Sequence, residues 1–124
     1  MNAGELAQKL NARIVTGEAG VGREVSGVYA CDLLSRVMSH AAKGDAWVTV
    51  HTHINVVAVA LLAEISCVIL PEDIAVEEQT LKKAAEEGIP ILSTALDCYG
   101  VCCVAHECLG PEDGETRPGP TDAV

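Results

Sequence analysis

The sequence AWVTVHTHINVVAVALLAEISCVILP, residues 46–71, decides the fold of this 124-residue chain. Residues 46–51 are rich in the β-branched and aromatic side chains typical of a strand, and residues 67–70 form a second apolar run that Pro71 ends. Between them, residues 56–64 are apolar at nearly every position and predict a buried helix. Two strands joined through a helix need a crossover connection, so these strands are predicted to be parallel.

The same alternation of strand and helix continues on both sides of this unit. Further helices are predicted over residues 3–10, 33–42, 77–87 and 97–109, and further strands over residues 12–16, 26–31 and 89–93. Asp97 is placed to cap the last helix. The sequence therefore predicts a single three-layer α/β domain, with a mostly parallel β-sheet of four to five strands and helices on both faces.

Composition separates a packed domain from a short tail. Hydrophobic residues make up 49% of the chain and Phe is absent, so the core is predicted to consist of Val, Ile, Leu, Ala and Cys. Residues 110–124 differ, because they hold three of the five prolines and four acidic residues. We predict a domain over residues 1–109 and a disordered, acidic, Pro/Gly-rich tail over residues 110–124.

Charge and segment length exclude several classes of protein. Eight Lys and Arg stand against eighteen Asp and Glu, a net charge of −10, which disfavours binding to nucleic acid or to an anionic membrane surface. The longest apolar run, Val56 to Ala63, is far shorter than the ~20 residues of a membrane span. No signal peptide is recognisable at residues 1–5, so we expect a cytoplasmic protein with reduced cysteines.

The segment GEAGVGRE, residues 17–24, resembles a phosphate-binding P-loop in its glycine spacing. Arg23 stands where the P-loop has Lys, and Glu24 stands where it has the hydroxyl that binds magnesium. The residues that follow also predict a strand rather than a helix. We therefore interpret this segment as a glycine-rich turn between two strands.

Polar residues gather where the predicted parallel strands end, the position at which such sheets bind ligands. These candidate ligand-binding residues are Asp32, His51, His53, Asn55, Glu72 and Thr94. His51 and His53 lie two apart on an extended strand and could converge on one ion. A small anionic metabolite or nucleotide is the expected ligand, because a helix start near Thr52 favours anions. The alternative is structural, with Thr52 and Asn55 as caps and the histidines merely hydrogen-bonded.

The last predicted helix is rich in cysteine. Cys98, Cys102 and His106 share one face at successive spacings of four, which could bind a soft metal such as zinc or copper(I). The alternative is that these small side chains only let the helix pack closely against the sheet.

The order of several segments resembles the DRTGG domain family. The segments that carry the resemblance are LNARIVTG (10–17), REVSG (23–27), DLLS (32–35), GDAWVT (44–49), residues 53–60 and GIPILST (88–94). It covers about residues 3–109, with Gly22 where the family commonly has Asp. Such domains are similar to the N-terminal domain of HPr kinase/phosphorylase and to the regulatory domain of some phosphotransacetylases. The resemblance implies a stand-alone member, often labelled a kinase but without a P-loop kinase domain.

These observations predict a non-enzymatic regulatory or interaction domain. It would sense a small anionic ligand or dock on a metabolic or redox enzyme, of the hydrogenase type that the resemblance implies for stand-alone members. No catalytic residue and no cofactor are assigned. The alternatives are a kinase-like phosphotransfer accessory protein and a Cys/His metal-binding protein. A protein partner is expected, and the apolar helix over residues 56–63 favours a homodimer.

Overall fold

The structure, a computed structural model, describes residues 1–110. The predicted tail lies outside the described residues from residue 111 onward. Every predicted helix and strand is present. The helices are α1 (Ala3–Lys9), α2 (Leu34–His40), α3 (Asn55–Leu62), α4 (Glu78–Glu86) and α5 (Cys98–Leu109). The strands are β1 (Arg13–Ile14), β2 (Gly27–Ala30), β3 (Asp45–Val48), β4 (Cys67–Leu70) and β5 (Ile91–Ser93).

The five strands form one sheet in the order β1-β5-β4-β3-β2. Strands β2 to β5 are parallel, with Ala46 opposite Cys67 and Val68 opposite Ile91. The short edge strand β1 pairs antiparallel with β5. The prediction of a mostly parallel sheet is therefore confirmed, and the helices that follow β2, β3 and β4 supply the crossovers.

Successive side chains of the central strands point to opposite faces and build two cores. Trp47, Val68 and Ile91 lie in a core with buried residues of α2, α3 and α4. Val48 and Ile69, from the same strands, lie in a second core with buried residues of α1 and α5. Helices thus cover both faces of the sheet, and the predicted three-layer arrangement is confirmed.

The third strand ends earlier than the sequence predicts. We expected it to reach His51, but β3 ends at Val48. The backbone of Thr49 still donates to Ile69 of β4, whereas the next amide, that of Val50, donates to the carboxylate of Asp32. A tertiary contact therefore ends the strand.

The start of α3 also differs from the expected capping. Its N-cap is Ile54, which forms no side-chain cap hydrogen bond. Thr52 contributes its carbonyl oxygen, which accepts from the Thr80 hydroxyl at 2.8 Å, so neither Thr52 nor Asn55 is the cap. In contrast, Asp97 caps α5 as predicted, since its Oδ1 accepts from the Gly100 amide at 2.8 Å.

The glycine-rich segment is a turn between β1 and β2, as predicted, and no helix follows it. Arg23 is engaged there in structural contacts. Its guanidinium donates to the carbonyl oxygens of Gly88 at 3.0 Å and Ile65 at 3.2 Å. Within residues 1–110, none of the helices has both the length and the apolar character that a membrane crossing requires.

Candidate functional site at the carboxyl edge of the sheet

The parallel strands end at one edge of the sheet, which we call the carboxyl edge. A cavity of about 120 Å³ lies there, beyond the ends of β2, β3 and β4. Its lining residues are Ala30, Cys31, Asp32, Val48, Thr49, Val50, Pro71 and Cys98. Cys98 is the first residue of α5, so this edge cavity is closed by a helix start as well as by strand ends. This is the position at which open parallel sheets bind ligands.

Asp32 is the most firmly held polar group of the edge cavity. Its Oδ1 accepts hydrogen bonds from the Thr49 hydroxyl at 2.7 Å and from the Val50 amide at 3.0 Å. The Asp32 carbonyl oxygen also accepts from Nε2 of His51. Its second carboxylate oxygen, Oδ2, accepts no hydrogen bond from the residues that the structure describes. The arrangement therefore presents a fixed acceptor to any group that enters the cavity.

Asp32 is the only charged residue among those that line the edge cavity. Asp32, Glu72, Asp73 and Asp97 are all exposed and all follow strand ends at the carboxyl edge. A phosphate or carboxylate inside the cavity would meet like charge, whereas a hydroxyl or amino group would donate to Asp32. The electrostatics of the cavity thus favour the hydrogen-bond-donating part of a ligand over its anionic part.

The two histidines of this segment have separate roles. Nε2 of His51 is committed to the Asp32 carbonyl, and Nδ1 of the exposed His53 accepts from the Asn55 amide at 3.4 Å. Because β3 ends at Val48, the two-residue alternation expected for His51 and His53 does not apply. The structure brings His51 to Asp32 and leaves His53 and Asn55 outside the lining of the edge cavity.

Glu72 and Thr94 follow β4 and β5, and neither lines the edge cavity. The Glu72 amide donates to the Leu96 carbonyl at 2.8 Å, and its side chain is exposed. The buried Thr94 hydroxyl donates to the carbonyl of Leu10 at 2.9 Å. Thr94 thereby joins the end of β5 to the end of α1 and lines a separate groove of about 340 Å³.

The cysteine-rich helix contributes one residue to the edge cavity, Cys98. Cys98 and His106 are exposed, and Cys102 is half-buried. Burial, followed by the nearby Cys98 thiol, raises the pKa of Cys102 to about 11. Among residues 1–110, no three His, Cys, Asp or Glu side chains form a group that could hold a metal ion. Cys98, Cys102 and His106 therefore share a helix face without forming a three-ligand site.

Six lining residues of the edge cavity were not among the predicted site residues, and they include Thr49, Cys31 and Pro71. Thr49 was assigned to the body of a strand, where its hydroxyl has no evident role. The sequence did contain a signal for Thr49, because it is a polar residue near the predicted end of β3, and β3 pairs with β2, the strand that Asp32 follows. Cys31 and Pro71 gave no chemical signal, because their contribution is the shape of the cavity wall.

Comparison with known proteins supports this fold. The chain is similar to a structure of the CBS and DRTGG domains of the regulatory region of Clostridium perfringens pyrophosphatase, complexed with its activator, diadenosine tetraphosphate. The TM-score is 0.62 at 13% sequence identity, over 81% of this chain and 44% of the other. This chain thus spans less than half the length of that one. None of the curated proteins matches this chain.

The family assignment rests on the sequence. The family model described as the DRTGG domain matches residues 5–108, which include every strand and all of the edge cavity. The resemblance noted in the sequence is confirmed by this match. The chain belongs to the DRTGG domain family.

Proposed function

We propose that this chain is a non-enzymatic regulatory domain that binds a small nucleotide at the edge cavity. The observation that carries the proposal is the fixed acceptor Asp32, held by Thr49 and Val50 at the end of parallel strands. Ribose hydroxyls and the amino group of adenine are donors that such a carboxylate accepts from. The pyrophosphatase regulatory region, which contains a DRTGG domain, is complexed with an adenine nucleotide activator and supports this choice of ligand class.

The size of the cavity limits how much of the ligand it holds. Pockets for whole small molecules have volumes of about 300–1,000 Å³. At about 120 Å³, the edge cavity accommodates one end of a nucleotide. The nucleoside end is the part that donates hydrogen bonds, and the phosphates would remain outside, away from Asp32. A nucleotide thereby fits both the anionic ligand expected from sequence and the negative charge of the cavity.

Calorimetric titration of the chain with AMP and with diadenosine tetraphosphate tests this proposal. Asp32→Asn keeps an oxygen that accepts from Thr49 and replaces Oδ2 by a donor. We expect this change to weaken nucleotide binding by about 10- to 100-fold, the value of a hydrogen bond to a charged group. Asp73→Asn removes an exposed carboxylate from the same edge and is expected to leave the affinity unchanged. The proposal fails if neither nucleotide binds, or if Asp32→Asn binds as tightly as the unmodified chain.

A further inference from the structure

Two adjacent residues after β4 have backbone conformations that side chains disfavour. The φ angle is 61° at Glu72 and 52° at Asp73, in the left-handed region that suits glycine. The Glu72 amide donates to the Leu96 carbonyl at 2.8 Å, and the Asp73 amide donates to the Thr94 carbonyl at 2.9 Å. Two such residues in succession persist only where the surrounding contacts outweigh their strain. The backbone after β4 is therefore strained at the carboxyl edge.

A buried hydroxyl beside this pair has no partner. Ser93 is the last residue of β5 and is 3% exposed, and its Oγ has no hydrogen-bond partner among residues 1–110. Its neighbour on β4 is Leu70, the residue before Pro71. A buried hydroxyl without a partner would gain hydrogen bonds if water reached it. Burial of Ser93 therefore makes the observed conformation less stable.

The segment that begins at Pro71 continues onto the face of the sheet to which Ser93 points. Ser93 points to the same face as Ile91, two residues earlier in β5. Ile91 lies in the core that α3 and α4 cover, and Val76 packs against that core. We call residues 71–76 the clasp. The clasp thus runs from the end of β4 onto this face, so that its opening would admit water to Ser93.

We propose that the clasp opens in a minor conformation of the folded chain, and that the edge cavity binds its nucleotide only when the clasp is closed. Opening breaks the backbone hydrogen bonds of Glu72 and Asp73, relieves their strain and exposes the Ser93 hydroxyl to water. The last two changes offset part of the cost, so the clasp opens more readily than the whole chain unfolds.

The edge cavity depends on the clasp because Pro71 is one of its lining residues. Opening removes part of the cavity wall, so a ligand that contacts this wall favours the closed form. This second half of the proposal rests on the proposed function, whereas the opening of the clasp does not.

Hydrogen exchange of the full-length chain, followed by NMR, measures opening at the Glu72 and Asp73 amides. Glu72→Gly relieves strain in the closed form, and Ser93→Ala removes the hydroxyl that lacks a partner. We expect each change to raise the protection factors of these two amides about fivefold, because each favours the closed form.

Two matched variants serve as controls. Glu64→Gly relieves the same kind of strain at a φ angle of 56° after α3, away from the clasp. Ser66→Ala removes a buried hydroxyl that has a partner, the Glu24 carbonyl. Both should leave the protection factors of the clasp amides unchanged.

Two results would overturn the opening of the clasp. One is an unchanged or lower protection factor at the clasp amides in either Glu72→Gly or Ser93→Ala. The other is protection of these amides, in the unmodified chain, equal to that of the Val68 amide within β4. Equal protection would mean that the clasp opens only when the whole chain unfolds.

The same measurement with AMP tests the link to the edge cavity. AMP at ten times its Kd is expected to raise the protection factors of the clasp amides about tenfold, because it binds the closed form alone. The same concentration of AMP should have little effect in Asp32→Asn. If AMP binds without slowing exchange, the link between clasp and cavity is refuted while nucleotide binding stands. If calorimetry shows no binding of AMP, the proposed function fails, and the variants still decide whether the clasp opens.

Discussion

Arg23 stands where a P-loop has the lysine that binds phosphate, but its side chain makes structural contacts instead. Its guanidinium donates to the carbonyl oxygens of Gly88 and Ile65, just beyond the ends of α4 and α3. The carboxyl ends of helices carry partial negative charge, so a cation there is favourable. The sequence indicated that Arg23 departs from the P-loop pattern. It did not indicate which carbonyls the side chain binds, because those lie 42 and 65 residues away.

The glycines of the same turn give a matched test of close packing. A Cβ on Gly20 would lie 2.0 Å from the Gly88 carbonyl oxygen, whereas one on Gly17 would meet nothing within 4 Å, although both residues have a positive φ. We expect Gly17→Ala to cost about 1–2 kcal/mol of unfolding free energy, from its backbone conformation alone. Gly20→Ala should cost about 1–3 kcal/mol more, from the clash. Urea unfolding measures both, and equal losses would contradict the role given to Gly20.

The buried thiol of Cys67 is expected to make the unfolding free energy fall with rising pH in the alkaline range. Burial raises the pKa of its thiol from 9.0 to about 12, so the folded chain keeps a proton that the unfolded chain loses above pH 9. Stability must therefore fall as the pH rises from 9 towards 12, by about 1.4 kcal/mol per pH unit for this group. Cys67→Ala should remove this part of the slope in urea unfolding at pH 8 and pH 10.5. The exposed Cys103→Ala should retain it, and identical slopes in both variants would refute the assignment.

At the scale of the elements, the local sequence predicted which helices and strands exist, but it predicted the residues at which they begin and end less accurately. The helices and strands follow from apolar runs, turn residues and caps, which are local signals. The end of β3 was placed three residues late, because it is set by the contact between Val50 and Asp32, which lies just after the neighbouring strand β2. Asp32 and His51 were predicted as site residues because they follow predicted strands. Thr49, whose hydroxyl donates to Asp32 and accepts from the His51 amide, was missed because it was assigned to the body of a strand.

The contribution of the Asp97 N-cap to helix α5 can be tested directly. Asp97 accepts from the Gly100 amide at 2.8 Å and begins the helix that places Cys98 at the edge cavity. Asp97→Ala is expected to lower the unfolding free energy by about 1 kcal/mol, whereas Asp97→Asn retains an acceptor and should cost much less. Urea unfolding followed by circular dichroism compares the two. A similar loss for both variants would mean that charge, not capping, is what Asp97 contributes.

At the scale of the whole molecule, the three-layer fold was predictable because strand spacing and the crossover rule leave few alternatives. The cavity was not predictable, because its walls come from four separate segments that only the folded sheet brings together.

One surface prediction concerns the exposed face of α3. This helix has no charged residue, and Leu61 and Leu62 are 43% and 73% exposed.

We expect the exposed face of α3 to pair with the same face of a second copy, as in an isologous dimer. Because each chain carries a net charge of −10, added salt should strengthen this association. Light scattering is expected to show a dimer, and Leu62→Lys a monomer. Leu33→Lys changes a comparably exposed leucine, 61% exposed, outside α3 and should leave the dimer intact. A monomer at every protein and salt concentration would contradict the prediction.

The pairing of α1 with α5 has a consequence for synthesis. These helices, the first and last of the described residues, pack against each other on one face of the sheet. A ribosome must therefore translate α5 and release it from the exit tunnel before this second core can close. Until then, β3 and β4 present Val48 and Ile69 on an uncovered apolar face. The nascent chain is consequently expected to expose a hydrophobic surface that molecular chaperones recognise, and to complete this core only after α5 has left the ribosome.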